Sequence, residues 1–216
     1  TKHLSLVWLL AQAAVPTAAQ LTHCVPGMTP LCPACDVSVE NIRHYFWSCP
    51  RTRRYWLLVS RFLTHIQPAE PPVTVTVDMP AVAAGFSKWS RVIPNAHALR
   101  GLAVWEVYRA HTEISDGKIK TGDQMFIRFK TAVTLRVLHD LHYAYAICKS
   151  DEIFRNRWLK VPNRWFHIEP GGPDQNDKIV FSGSSPSDSR FKYFVDSNGH
   201  ICSTTDESAA DPATLQ

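Results

Sequence analysis

Residues 31–50 read LCPACDVSVENIRHYFWSCP. Within them Cys32, Cys35, His44 and Cys49 are spaced C-x2-C-x8-H-x4-C. Three thiolates and one imidazole form a closed tetrahedral set for Zn2+, with no position left for a catalytic water. Two cysteines in a Pro-flanked loop can both turn inward on one ion. His44 and Cys49 lie about a turn and a half of helix apart and meet on that ion if the helix loosens near Ser48, which Pro50 favours. The competing reading is two disulfides, or four unrelated buried residues. It leaves His44 without a purpose, and cysteines so closely spaced make a strained bridge. The metal's expected role is folding. Residues 24–50 hold too few apolar side chains to keep a shape unaided, so the metal-free protein is expected to be locally unfolded there.

The flank of this cluster carries one sign of charge. Arg43, Arg51, Arg53, Arg54 and Arg61 fall between residues 43 and 65 with no acidic residue among them, interleaved with Tyr45, Phe46, Trp47, Tyr55 and Trp56. Arginines contact phosphates, and aromatic faces stack on unpaired bases. The bland alternative is a solvated helix face whose aromatics cover the metal loop. At helical spacing Arg51, Arg54 and Arg61 share roughly one face, away from Tyr55, Val59 and Phe62.

The rest of the chain sets the frame. It has 216 residues, 45% hydrophobic and 19% charged, a globular composition. Six cysteines are too few for a disulfide scaffold. No apolar run is long enough to span a bilayer. Residues 1–168 hold 20 Lys and Arg against 11 Asp and Glu, and the remaining 48 hold 3 against 8. A basic body with an acidic end suits a polyanionic partner. The first residue is Thr1 rather than Met, and the sequence reads as a fragment. Lys2, His3 and the apolar run to Val15 mimic a secretory leader. Leu6, Leu9, Leu10 and Ala13, stopped by Pro16, fit a buried helix instead.

Further helices are expected from Val39 to Ser48, capped by Asp36 or Ser38, and from Arg51 to Ile66. Residues 67–94 read as a Pro-rich linker with one short strand at Val73–Val77. Asn95 is expected to cap a helix to about Ser115. Thr121 or Asp123 begins a longer one that reaches Cys148, with Phe126, Phe129, Val133, Val137, Leu141 and Ala144 as its buried stripe. Ser150 or Asp151 caps a short last helix through Trp158. From residue 169 onward Gly, Pro, Asp and Ser suit a largely disordered acidic tail, with a weak hairpin at Lys178–Phe181 and Phe191–Val195. Cys148 reads as core packing and Cys202 as an exposed thiol. His139-Asp140 reads as polar positions on a bundle helix rather than a catalytic pair, and no glycine-rich phosphate loop or other catalytic motif is present.

The run Leu31 to Cys35, with Glu40, His44, Phe46, Cys49-Pro50 and Trp56, resembles the zinc-binding region that follows the polymerase domain in reverse transcriptases of non-LTR retrotransposons. The stretch Trp8 to Leu21, with Pro16-Thr17, resembles that family's lead-in helices. The resemblance covers about residues 4–60. It implies structural zinc on Cys32, Cys35, His44 and Cys49, and a grip on template RNA or target DNA beside an upstream polymerase domain. The paired aspartates of the polymerase are absent, so the resemblance implies no enzyme in this chain. The expected fold is mostly α. A zinc-stabilised finger (1–66) is followed by the linker (67–94), a helical bundle (95–168) and the tail (169–216). Expected partners are RNA or DNA and the polymerase domain, without a membrane, and the expected location is intracellular. Rival expectations are a zinc-folded module that docks onto protein, a decayed element copy, and a secreted disulfide protein.

Overall fold

The computed structural model describes residues 2–68, 71–148 and 150–169, with the strands at 178–181, 191–195 and 201–205. The fold is mostly α. Helix α1 (Lys2–Ala11) buries Leu6 and Leu10, one turn apart, and packs on α5 (Ala96–Thr112). The buried-helix reading of this stretch therefore holds. The helix stops before Pro16, and Ala13 takes up left-handed backbone at φ 52°. A single turn, α2 (Ala18–Leu21), leads into the metal loop.

Helix α3 (Pro50–His65) starts with Pro50, whose missing N–H costs nothing in the first turn. It crosses α6 (Gly122–His142) through aromatic edges: Tyr55 meets Phe129 at 6.2 Å between ring centroids, and Phe62 meets Phe126 at 6.1 Å. Along α6 the predicted stripe Phe129, Val133, Val137 and Leu141 is buried, continued by Ala144, while Phe126 is half-buried. Thr121 and Gln124 close a capping box at its start, each side chain bonding the other's backbone N–H. Gly122 lies against α3 so closely that a Cβ there would stand 2.8 Å from the Arg51 carbonyl oxygen. Asn95 precedes α5 as predicted but makes no side-chain cap bond. After α6 the chain widens into a π-helical stretch, Tyr143–Ile147. A short α7 (Glu152–Phe154) then runs into a second one, Arg155–Leu159.

Residues 67–94 are not the linker that their prolines suggest. Val73–Val77 is extended but joins no sheet; it straps onto α3 instead. Its alternation puts Val75 and Val77 in the core and Thr74 and Thr76 in solvent. The Val75 N–H donates to Thr64 Oγ1 at 2.9 Å and the Val77 N–H to Ser60 Oγ at 3.0 Å. Asp78 then caps α4 (Met79–Ala84) by accepting the Ala81 N–H. Val82, Phe86 and Ile93 are fully buried. One apolar cluster runs from Leu6 to Ile179 and draws on α1, α3, α4, α5, α6 and α7. Finger, linker and bundle thus share a core, because the strap's valines need the α3 surface that a free linker would leave wet.

The C-terminal hairpin is present and larger than predicted. Strands β1 (Phe166–Glu169), β2 (Lys178–Phe181), β3 (Phe191–Val195) and β4 (Ile201–Thr205) form an antiparallel sheet in chain order. Phe166 pairs with Phe181, Ile179 with Tyr193, and Phe194 with Cys202. Ile179 and Phe166 join the core. Paired strands therefore occupy part of the range read as disordered tail; residues 206–216 lie outside the described ones. Composition there is dominated by Gly, Pro, Asp and Ser, which hides short aromatic and β-branched strands.

Candidate metal centre

The metal loop is built by two backbone devices. Leu31 and Val39 form an isolated antiparallel bridge, with Cys32 N–H on the Ser38 carbonyl and Glu40 N–H on the Pro30 carbonyl, both at 2.8 Å. Inside this clasp the Cys35 and Asp36 N–H groups turn back onto the Cys32 carbonyl, and Asp36 takes φ 53°. The turn brings the side chains of Cys32 and Cys35 to one side.

The second device is a wide turn. Asn41 Oδ1 accepts the His44 N–H at 2.9 Å, so Asn41 caps this helix, not the predicted Asp36 or Ser38. His44–Ser48 is π-helical, and the Cys49 N–H reaches the His44 carbonyl at 3.0 Å. An α-turn would carry Cys49 past His44; a turn wound one residue wider aligns them. Cys49 then leaves the helix (ψ 131°) and stands at the start of α3.

The Cys32, Cys35, His44 and Cys49 ligand atoms all lie within 4.8 Å of one another. Cys35 Sγ is 3.4 Å from His44 Nε2. A zinc tetrahedron with Zn–S near 2.3 Å has edges of roughly 3.8 Å, so the donor set and its spacing fit such an ion. Cys32, His44 and Cys49 are buried and Cys35 is half-buried. Among the described residues the cysteines are free thiols, against the disulfide alternative. The Cys49 thiol is pulled down to about 5, first by the hydrogen bond from Cys32 and then by the Arg51 and Thr52 N–H groups of α3. Cys32 moves up, because it holds the shared proton and is buried. A thiolate is thus already favoured at the helix start before any cation arrives.

Behind the sulfurs stands Glu40, which is buried. Its Oε1 accepts the Ala18 N–H at 2.8 Å and its Oε2 lies 2.5 Å from His111 Nε2 on α5. Cys32, Glu40 and His111 form a second compact group that shares Cys32 with the first. Tyr45 stacks on His111 with centroids 3.9 Å apart. Burial alone would raise the Glu40 pKa; the His111 contact and the Ala18 N–H outweigh it and hold the carboxyl below its ordinary value.

Residues 1–56 match the family model for zinc-binding in reverse transcriptase. The resemblance read from residues 4–60 is thereby confirmed for this part of the chain. No curated protein matches the chain. No solved structure matches it. The match ends inside α3, and His111 lies outside it.

Within the matched region each pattern residue has a physical task. Phe46 is fully buried in the core, and its carbonyl accepts the indole N–H of Trp56 at 2.6 Å, tying α3 back over the wide turn. Glu40 anchors the loop to α2 and α5. Sequence reasoning missed His111, which carries no local signal: the Glu40–His111 contact spans 71 residues.

The arginines divide. Arg43, Arg53 and Arg61 are exposed. Arg54 is exposed but pairs with Asp123 Oδ1 at 2.9 Å. Arg51 is half-buried, with Nε and Nη1 enclosed, so it leaves the face it was expected to share with Arg54 and Arg61. Arg53 and Arg61 instead border a groove of about 740 Å³ between α3 and the strap, with Trp47 and Leu57 in its wall. Of the other candidates, Cys24 is exposed and outside the cluster, Cys148 is half-buried, and the Cys202 side chain lies outside the described residues. Asp140 is structural: buried, it accepts the Trp158 indole N–H at 2.9 Å and pairs with Arg157 at 3.1 Å. His139 is exposed. No helix among the described residues is long and apolar enough to cross a membrane.

Proposed function

We propose that this chain is a zinc-folded nucleic-acid-binding part of a reverse-transcriptase protein, gripping RNA or DNA for an upstream polymerase domain in an intracellular setting. The ion is structural zinc on Cys32, Cys35, His44 and Cys49, and the chain's role is binding rather than catalysis. One observation carries the reading: Arg53 and Arg61 stand on a groove with no carboxylate among its described lining residues, beginning one helix turn beyond the metal centre, while Arg54 beside them is paired with Asp123. Zinc fixes the start of α3, and α3 fixes the cations.

Salt-dependent binding tests this. Arg53→Ala with Arg61→Ala is expected to weaken binding to any sequence and to flatten the slope of log K against log salt by about 1.5. Unchanged affinity at low salt would sink the reading. Elemental mass spectrometry of the purified chain and of Cys35→Ser tests the ion; zinc in the first and none in the second is expected. A second reading, docking onto protein, draws support from exposed Ile127 and Leu135 along α6. It predicts partner binding that is insensitive to salt.

A further inference from the structure

The groove between α3 and the Val73–Val77 strap is more specific than a basic surface needs to be. Its lining is mostly apolar: Trp47, Leu57 and the strap make the walls, and Arg53, Arg61 and His65 add polar groups. Leu57 is 45% exposed in the middle of a helix face, although the opposite face of α3 is closely packed. Trp47 is half-buried: it packs against the core and also lines the groove, whereas its neighbours Tyr45 and Phe46 are fully inside. The strap is pinned by the Ser60 and Thr64 hydroxyls, so the groove has a defined wall and is not a gap under a loose loop. Its volume of about 740 Å³ is that of a small-molecule site.

A duplex hides its bases and offers phosphates. It would satisfy the arginines and leave the indole and the leucine in water. A single strand offers both: flat apolar bases for Trp47 and Leu57, and phosphates for Arg53 and Arg61. The absence of any carboxylate among the described lining residues disfavours a basic peptide. We infer that this groove takes an unpaired base of a single strand, stacked on Trp47, with the flanking phosphates on Arg53 and Arg61. The inference rests on the proposed nucleic-acid reading and names its ligand as single-stranded.

The test uses the full chain with zinc, a short oligouridylate, its DNA counterpart, and a duplex of equal length at one salt concentration. The single strands are expected to bind more tightly than the duplex. Trp47→Leu is expected to lose about tenfold in single-strand affinity, the worth of one base–aromatic stack, with duplex affinity unchanged. A 5-iodouracil in the strand is expected to crosslink to Trp47 in the unaltered protein, read by peptide mapping. That measurement decides the matter if Trp47→Leu fails to fold. Equal affinity for strand and duplex with no effect of Trp47→Leu, or an adduct outside residues 47–77, overturns the inference. The basic-face reading survives that outcome if Arg53→Ala with Arg61→Ala weakens both ligands. No binding of any of the three overturns both.

Discussion

Glu40 Oε2 lies 2.5 Å from His111 Nε2, joining the metal loop to the last turn of α5 across 71 residues of chain. The same carboxylate accepts the Ala18 N–H, so one side chain fixes α2, the loop and α5 together.

Glu40→Gln keeps the shape and removes the charge. A hydrogen bond to a charged buried group is worth on the order of 1.5–3 kcal/mol, and that loss is expected in urea unfolding of the zinc-loaded protein. His111→Ala should cost a similar amount, and the double variant little more than either alone. The pH dependence has a definite sign. The carboxyl sits below its ordinary value of 4.5 in the folded protein. Its contribution is therefore present above the unfolded pKa and fades as pH falls through the lower folded one. Additive losses in the double variant would show that the two residues act separately.

Glu106 has the opposite sign. It is buried on α5, and burial raises its carboxyl to about 7 although Arg128 lies 3.0 Å away. The folded protein binds this proton more tightly than the unfolded chain does, so stability should fall as pH rises from about 4.5 to 7. A shift of that size corresponds to on the order of 3 kcal/mol. Glu106→Gln should flatten the curve of unfolding free energy against pH in this window and stabilise the protein at pH 8. An unaltered curve would exclude Glu106 as its source.

Stripping the ion with a chelator should loosen the loop and spare the bundle. Between residues 22 and 39 only Cys32 is buried, so little else holds this stretch closed. Hydrogen exchange should quicken across residues 31–49 while the amides of α6 stay protected. Acid should release the ion, because protons compete with a metal for its ligands. Quickening along the whole of α6 instead would mean that the metal holds the entire core.

Gly122→Ala should destabilise by about 1–3 kcal/mol, the usual cost of overpacking. The new methyl would stand 2.8 Å from the Arg51 carbonyl oxygen, and backbone cannot swing aside as a side-chain tip can. The helix-propensity gain, at most about 1 kcal/mol, is smaller at a first helical position. Thermal unfolding of the zinc-loaded protein measures the difference.

What could be read from sequence was what local spacing encodes. The Cys32, Cys35, His44 and Cys49 set lies within 18 residues, and its chemistry is in the donor types. The α6 stripe follows from its period. Three features needed distance. His111 meets Glu40 only because α1, α3 and α5 close around one core. Val75 and Val77 looked like a strand because their alternation is real, but their partners are the hydroxyls of Ser60 and Thr64 rather than a second strand. The wide turn at His44–Ser48 was half legible: the awkward spacing demanded a distortion, and Pro50 allowed it, but nothing in the residues named a π-turn.

The end of the family match, at Trp56, falls partway along α3. A polypeptide stopped there would lack Val59 and Leu63, and the Tyr55 hydroxyl would lose the Ala103 carbonyl it now reaches at 3.0 Å. Glu40 would lose its partner His111. The segment that sequence comparison recognises is therefore not one that can be transplanted. Any graft into another protein would have to carry the helices through Trp158 as well, and inheritance of this region should preserve that whole length as a block.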